Sequence, residues 1–254
     1  MLTVKQIPVL NDNYIYLIVD EKTQTSACVD PAISEPVIET LEKENLSLDF
    51  ILNTHHHFDH VGANIELKKK YSCKIVGNEK DSKRIPGIDI KLNEGDFFDI
   101  GKSKCKIFDV SGHTKGHIAF YFMKENLIFC GDTLFSFGCG RLFEGTPAQM
   151  VQSLLKIRSL PDHTKVYCAH EYTLNNANFA LSLDPLNKKL KGKVTEIERK
   201  RSKNIPTIPC NLGDEKNFNP FLMFDNKDYL KRIGLNDLND EESFKIIREM
   251  KDDF

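Results

Sequence analysis

The chain has 254 residues, 35 Lys+Arg against 37 Asp+Glu, a net charge of −2, 40% hydrophobic and 28% charged residues. That composition excludes wholesale disorder, and the near-neutral balance excludes a protein held on nucleic acid by bulk charge. No apolar run reaches the roughly 20 residues needed to span a bilayer, Met1–Leu10 has no apolar leader block, and seven cysteines with no C-x-x-C pair suit reduced thiols in the cytoplasm rather than a disulfide scaffold.

In chain order, Thr3–Ile7, Tyr14–Asp20 and Thr25–Val29 read as consecutive strands with turns at 11–13 and 21–24. Ser34 is placed to cap a helix to about Glu44, with Val37, Ile38 and Leu41 on one face. Asp49–Asn53 is a short apolar strand, followed by helical Ala63–Tyr71 and strand Lys74–Gly77. Cys105–Val110, Ala119–Met123, Leu127–Cys130 and Lys165–Ala169 are further strands, and Thr146-Pro147 opens a helix to about Ser159. Such alternation predicts α/β layers with helices covering sheets. After Tyr172 strand patterns cease, so a mixed body over 1–172 and a helical tail over 173–254 are expected. Leu186, Leu190, Val194 and Ile197 form a stripe among eight Lys and Arg over Leu186–Lys203. This reads as a solvated amphipathic helix docked by its stripe, ahead of a nucleic-acid or membrane surface. Pro206, Pro209 and a polar stretch to Asn219 lead to a last helix near Glu241–Lys251.

The chemistry concentrates in Thr54-His55-His56-His57-Phe58-Asp59-His60, directly after the Ile51–Asn53 strand. In extended chain, residues two apart share a side, so His55 and His57 converge while His56 turns away. Asp59 and His60 approach from the following helix. Imidazole and carboxylate are ligands for zinc, iron and manganese, and H-x-H-x-D-H at a strand end points to a metal site. His113 lies between glycines in Ser111-Gly112-His113-Thr114-Lys115-Gly116-His117, Asp132 ends one apolar strand and His170 another. Singly each reads as a cap or turn residue; with the first cluster they supply five imidazoles and two carboxylates.

These residues resemble the metallo-β-lactamase superfamily and, within it, glyoxalase II, the hydroxyacylglutathione hydrolases, from end to end. The matching segments are 7–14, 54–60, Gly131-Asp132-Thr133-Leu134-Phe135, Gly138-Cys139-Gly140-Arg141, His170-Glu171-Tyr172-Thr173, Asn219-Pro220-Phe221-Leu222 and Arg248 with Lys251–Phe254. The resemblance implies an αββα sandwich followed by a small α-helical C-terminal domain: a catalytic domain over 1–172 and a substrate-binding domain over 173–254. It implies two divalent ions per chain, zinc ahead of iron or manganese. His55, His57 and His113 would hold one ion, Asp59, His60 and His170 the other, with Asp132 and a hydroxide bridging. Asp59 and Asp132 are the implied catalytic carboxylates. His117 and His163 are not carried over and read as structural and surface residues, and the cysteines stay outside the site. Arg141, Phe143, Tyr172, Arg248 and Lys251 occupy the positions that grip glutathione. Arg141 stands where Lys is common, Phe143 replaces a frequent Tyr, and Met223 stands where Arg is frequent. From spacing alone, Arg248 and Lys251 lie three apart on a helix and face one way.

The implied reaction is hydrolysis of S-D-lactoylglutathione to glutathione and D-lactate, the second step of methylglyoxal detoxification, by a monomer without nucleic-acid or membrane partners. A metal brings water ionisation to about pH 7, so the hydroxide needs no separate strong base. Three rivals stand beside it: a mono-iron persulfide dioxygenase and a nuclease of the same superfamily, and a non-catalytic metal or electron-transfer scaffold. The complete second ligand set and the helical tail count against the dioxygenase, the negative charge against the nuclease, and the length against a scaffold with a partner domain.

Overall fold

The computed structural model describes all residues, Met1–Phe254, and divides into two units. The first comprises Met1–Asp109 and Lys115–Gly131, the second Val110–Thr114 and Asp132–Phe254.

In the first unit, β1 (Leu2–Val9) and β2 (Asn13–Asp20) form an antiparallel hairpin from Leu2↔Asp20 to Val9↔Asn13. Every residue of β2 is buried, which is why it reads as a continuous apolar run rather than an alternation. β3 (Ser26–Val29) leads through α1 (Glu35–Glu44) to β4 (Phe50–Leu52). Then α2 (Phe58–Val61) and α3 (Asn64–Tyr71) cross to β5 (Lys74–Asn78), followed by β6 (Ile90–Leu92). β3 to β6 are parallel neighbours. Val37 and Leu41 of α1 and Leu67 of α3 are fully buried against Leu17, Cys28, Ile51 and Ile75 of the sheet. Each such side chain contributes roughly 1.5–3 kcal/mol by leaving water. Ser34 sits at the N-cap of α1 but makes no capping bond to the helix; Glu35 and Pro36 start the helix without one.

A second, antiparallel sheet joins β7 (Phe97–Ile100), β8 (Ser103–Asp109), β9 (Ile118–Phe122) and β10 (Leu127–Gly131). Tyr16 of β2 meets Phe129 of β10 at 5.5 Å between ring centroids, and Phe50 of β4 meets Phe98 of β7 edge-on at 5.0 Å, so aromatic rings fill the space between the sheets.

In the second unit, Asp132 leads into a small hairpin, β11 (Leu134–Phe135) and β12 (Gly138–Cys139). α4 (Pro147–Arg158) opens on a complete Thr146/Gln149 capping box, which agrees with the Thr-Pro start read from the sequence. β13 (Lys165–Cys168) precedes α5 (Thr173–Leu183) and α6 (Lys188–Arg201), and β14 (Cys210–Asn211) pairs with β13. Leu190, Val194 and Ile197 dock on Ala177 and Ala180 of α5 as the stripe predicts, whereas Leu186 lies outside the helix and is 91% exposed. α7 (Leu212–Phe218), a short 3-10 turn at Pro220–Leu222, α8 (Lys227–Arg232) and α9 (Asp240–Asp252) complete the chain.

Candidate metal-binding clusters

Parallel strands leave their carboxyl ends open to a ligand, and the first unit collects its polar groups there. Asp30 follows β3, the histidine run follows β4 and Asp81 follows β5. Asp30 is buried and accepts from the Thr54 backbone N–H at 2.8 Å and from Thr54 Oγ1 at 2.7 Å. His60 Nδ1 lies 3.1 Å from Asp30 Oδ2, the oxygen that also takes Thr54 Oγ1, and His55 Nδ1 lies 3.1 Å from Thr54 Oγ1. Both rings thus engage Nδ1, which turns Nε2 outward as a lone-pair donor and fixes the tautomer a metal requires.

His55 Nε2 lies 3.0 Å from His57 Nδ1, and His60 Nε2 lies 3.4 Å from Asp59 Oδ2. Two ligands on one tetrahedral ion at the usual 2.0–2.1 Å stand about 3.3 Å apart. Asp59 Oδ2 also accepts from Asn13 Nδ2 at 2.9 Å. Asn13 is a supporting residue that the histidine pattern does not disclose, although it falls in one of the matching segments. As alternation predicts, His56 leaves this group and reaches buried Asp81 at 3.1 Å. His117 is fully buried and stacks on His55 at 4.6 Å with 16° between planes, a structural role as read from the sequence. Gly131, at φ +48°, makes room for it: a Cβ there would stand 2.8 Å from the His117 ring. His163 is exposed.

In the second unit, Asp132 stands between two imidazoles. Its Oδ2 lies 3.5 Å from His113 Nε2 and its Oδ1 3.4 Å from His170 Nε2. One carboxylate presenting each oxygen to a different imidazole is the arrangement of a bridging ligand, and both separations match ligands sharing an ion. His113 Nδ1 donates to the Arg141 carbonyl at 2.8 Å, leaving Nε2 to coordinate, and the His170 ring stacks on Tyr172 at 4.8 Å and 3°. All three groups are at least 90% buried, so the donor set fits a divalent cation and needs its charge: a buried carboxylate without one is costly.

A cavity of about 360 Å³ opens over Asp132 and His113 and is lined also by Arg141, Phe143, Tyr172 and Lys251. Arg141 and Phe143 are exposed at its rim, Phe143 edge-on to the His113 ring at 5.1 Å. Lys251 reaches it from α9, hydrogen-bonded to Asn175, another lining residue absent from the sequence reading. Burial and the neighbouring Arg248 and Arg141 cations lower the Lys251 pKa to about 8.

Arg248 does not line this cavity. Its guanidinium, 7% exposed, donates to the Cys139 carbonyl at 2.9 Å, pairs with Asp252 at 3.0 Å and stacks 4.9 Å from the Phe221 ring. Three-residue spacing puts both cations on one side of α9, but that side turns from core to rim between them. Cys139 lies in the cavity wall with its thiol buried, and burial raises its pKa to about 11. All seven cysteines are free thiols.

The sequence pattern of the metallo-beta-lactamase superfamily matches residues 10–170, and that of the hydroxyacylglutathione hydrolase C-terminus matches 171–254. The chain is 47% identical to a hydroxyacylglutathione hydrolase of Methylococcus capsulatus over 254 residues, covering 100% of this chain and 99% of that one. Among solved structures, the BLEG-1 B3 metallo-beta-lactamase superposes with a TM-score of 0.66 at 25% identity, over 87% of this chain and 99% of that chain. TTHA1623, solved in a di-iron-bound form, superposes with a TM-score of 0.57 at 26% identity, over 66% of this chain and 91% of that chain.

Proposed function

Because the chain belongs to the hydroxyacylglutathione hydrolases of the metallo-β-lactamase superfamily, we propose that it hydrolyses S-D-lactoylglutathione to glutathione and D-lactate, the second step of methylglyoxal detoxification. It is a thioester hydrolase with an αββα sandwich and a helical C-terminal domain, and its His and Asp clusters suit divalent metals. Within the proposal, 1–172 is the catalytic domain and 173–254 the substrate-binding domain.

We assign two ions, zinc ahead of iron and manganese. The family pattern gives His55, His57 and His113 to one ion, Asp59, His60 and His170 to the other, and Asp132 to both. The single observation that supports two ions best is Asp132, with one oxygen toward His113 and the other toward His170. When bound, such ions supply Lewis acidity that brings water ionisation into the neutral range and stabilises charge on a carbonyl oxygen.

The chain's own residues prepare the rest. Asp30, Thr54 and the Arg141 carbonyl hold three imidazoles in the coordinating tautomer. Asn13 orients Asp59 by donating to its Oδ2. Arg141 and Lys251 offer cations to the carboxylates of glutathione, which anchors the substrate away from the reacting carbon. Tyr172 and Phe143 supply apolar walls, Phe143 without the hydroxyl contact of a tyrosine. Arg248 enters the grip from beneath, by fixing the Cys139 carbonyl in the cavity wall.

The reduced cysteines suit the cytoplasm, and no helix is long and apolar enough to cross a membrane. A monomer is the proposed state, checked by light scattering. The deciding assay follows loss of the thioester of S-D-lactoylglutathione alongside metal analysis. Turnover with two ions per chain is expected; an inert thioester together with oxygen uptake on glutathione persulfide would replace this reading by the dioxygenase.

A further inference from the structure

The ten residues from Asp132 to Arg141 begin at one metal-facing side chain and end at the carbonyl that holds another. From Asp132 the chain runs out along β11, turns at Ser136–Phe137, returns along β12 and reaches Arg141, whose carbonyl accepts from His113 Nδ1 at 2.8 Å. The two ends touch: a Cβ on Gly140 would stand 2.0 Å from the Asp132 carbonyl oxygen. Displacing one end therefore displaces the other.

Strands of two residues cannot hold a hairpin by their own ladder. Its backbone is held instead by side chains of the C-terminal helices. Asn219 Nδ2 donates to the Phe135 and Gly138 carbonyls, both at 3.1 Å, one on each strand. The same nitrogen also lies 3.0 Å from Glu215 Oε2, so its two N–H groups are shared among three acceptors. Glu215, on α7, accepts from the Phe137 backbone N–H at 2.7 Å on Oε2 and from Ser136 Oγ at 2.9 Å on Oε1, which ties down the turn. Both residues are fully buried. A carboxyl group is tolerated in such a place only because several donors converge on it, and here the donors are the hairpin, Asn219 and the Cys210 thiol.

We propose that Glu215 and Asn219 are positioning residues for Asp132 and His113, acting through the hairpin; this rests on the ligand roles proposed above. Neither touches substrate or metal. They set the spacing between the Asp132 carboxylate and the His113 ring, on which a shared ion depends. A glutamine at 215 satisfies the same geometry, since its oxygen can take the Phe137 and Asn219 donors while its amide donates to Ser136 Oγ, a hydroxyl able to accept. An alanine cannot.

The test measures zinc affinity by chelator competition, and the visible absorption of the cobalt-substituted protein, for Glu215→Ala, Glu215→Gln and Asn219→Ala, with circular dichroism confirming a folded chain. Supporting residues of metal ligands affect affinity by about 10–100-fold, so the alanine variants should lose that much and shift the cobalt spectrum while Glu215→Gln retains both. A folded alanine variant with unchanged affinity and spectrum overturns the proposal. Should the alanine variants fail to fold, hydrogen exchange on the wild-type chain decides. Adding zinc to metal-free protein should slow exchange over 212–219 as well as 132–141, because coupling is reciprocal. Protection confined to 132–141 overturns the proposal. Asp132→Ala, measured in parallel, separates the two levels: unchanged metal content there removes the ligand assignment itself.

Discussion

Replacing Arg248 by methionine keeps the apolar stem and removes the guanidinium. The Cys139 carbonyl, now buried without its donor at 2.9 Å, costs about 1–3 kcal/mol. The cation stacked 4.9 Å from the Phe221 ring is desolvated, and its loss costs about 1–2 kcal/mol. The bond to Asp252, which is 42% exposed, adds roughly 0–1 kcal/mol. Arg248→Met should therefore destabilise the chain by about 3–5 kcal/mol. Urea unfolding followed by circular dichroism measures it, with the linear slope checked for constancy. The loss should barely change in ~0.5 M salt, because a buried contact to a neutral carbonyl is little screened. Lys251→Met, at the cavity rim, should do the opposite: little effect on stability and a raised KM that deepens with salt. A destabilisation below ~1 kcal/mol for Arg248→Met, with a salt-sensitive KM, would refute the reasoning and put this guanidinium on the substrate directly.

Asp132→Ala should lower metal content from the proposed two ions per chain and reduce turnover sharply, whereas His56→Ala, which removes the contact to Asp81 and ring contacts with His55 and His57, should leave metal content unchanged; elemental analysis checks both. Lys251, with its pKa lowered to about 8 chiefly by burial, carries its charge below that value and loses it above, so KM for the anionic thioester should rise between pH 7 and 9. One half-exposed charge-assisted contact makes that rise about 5–10-fold, and Lys251→Arg, charged throughout, should flatten it in steady-state kinetics. Glu215 is raised by burial from 4.5 to about 7, so the folded chain holds this proton more tightly than the unfolded one. Stability from this group is greatest below about pH 4.5 and falls as pH rises toward 7, by at most ~3 kcal/mol. Glu215→Gln should remove that slope from the pH dependence of urea midpoints.

What the sequence discloses depends on whether a local pattern carries the information. His55, His57 and the divergent His56 are legible because strand alternation fixes sides over three residues. The α6 stripe is legible for the same reason at helical period, apart from Leu186, which precedes the helix start. Asp132, His113 and His170 are single residues at strand ends, and only the family resemblance groups them. β11 and β12 are too short to have a period. Glu215 and Asn219 lie in a stretch that reads as polar connection, because nothing in Leu212–Phe218 announces that a carboxylate will be enclosed by a hairpin about eighty residues earlier. Arg248 shows the converse limit. Spacing gives the side of α9 it occupies, but how deep that side lies is decided by Phe221 and Cys139, both distant in sequence.

Cys139 bears on a hazard peculiar to an enzyme that handles activated acyl groups and releases a thiol. A thiolate in the cavity wall would compete with water, taking the acyl group onto the protein as the glutathione thiolate departs. Only the deprotonated sulfur does so. With its pKa raised by burial from 9.0 to about 11, the Cys139 side chain is ionised in about one molecule in ten thousand at pH 7, some hundredfold less than an ordinary thiol. Packing that looks purely structural thus keeps the enzyme from becoming its own substrate.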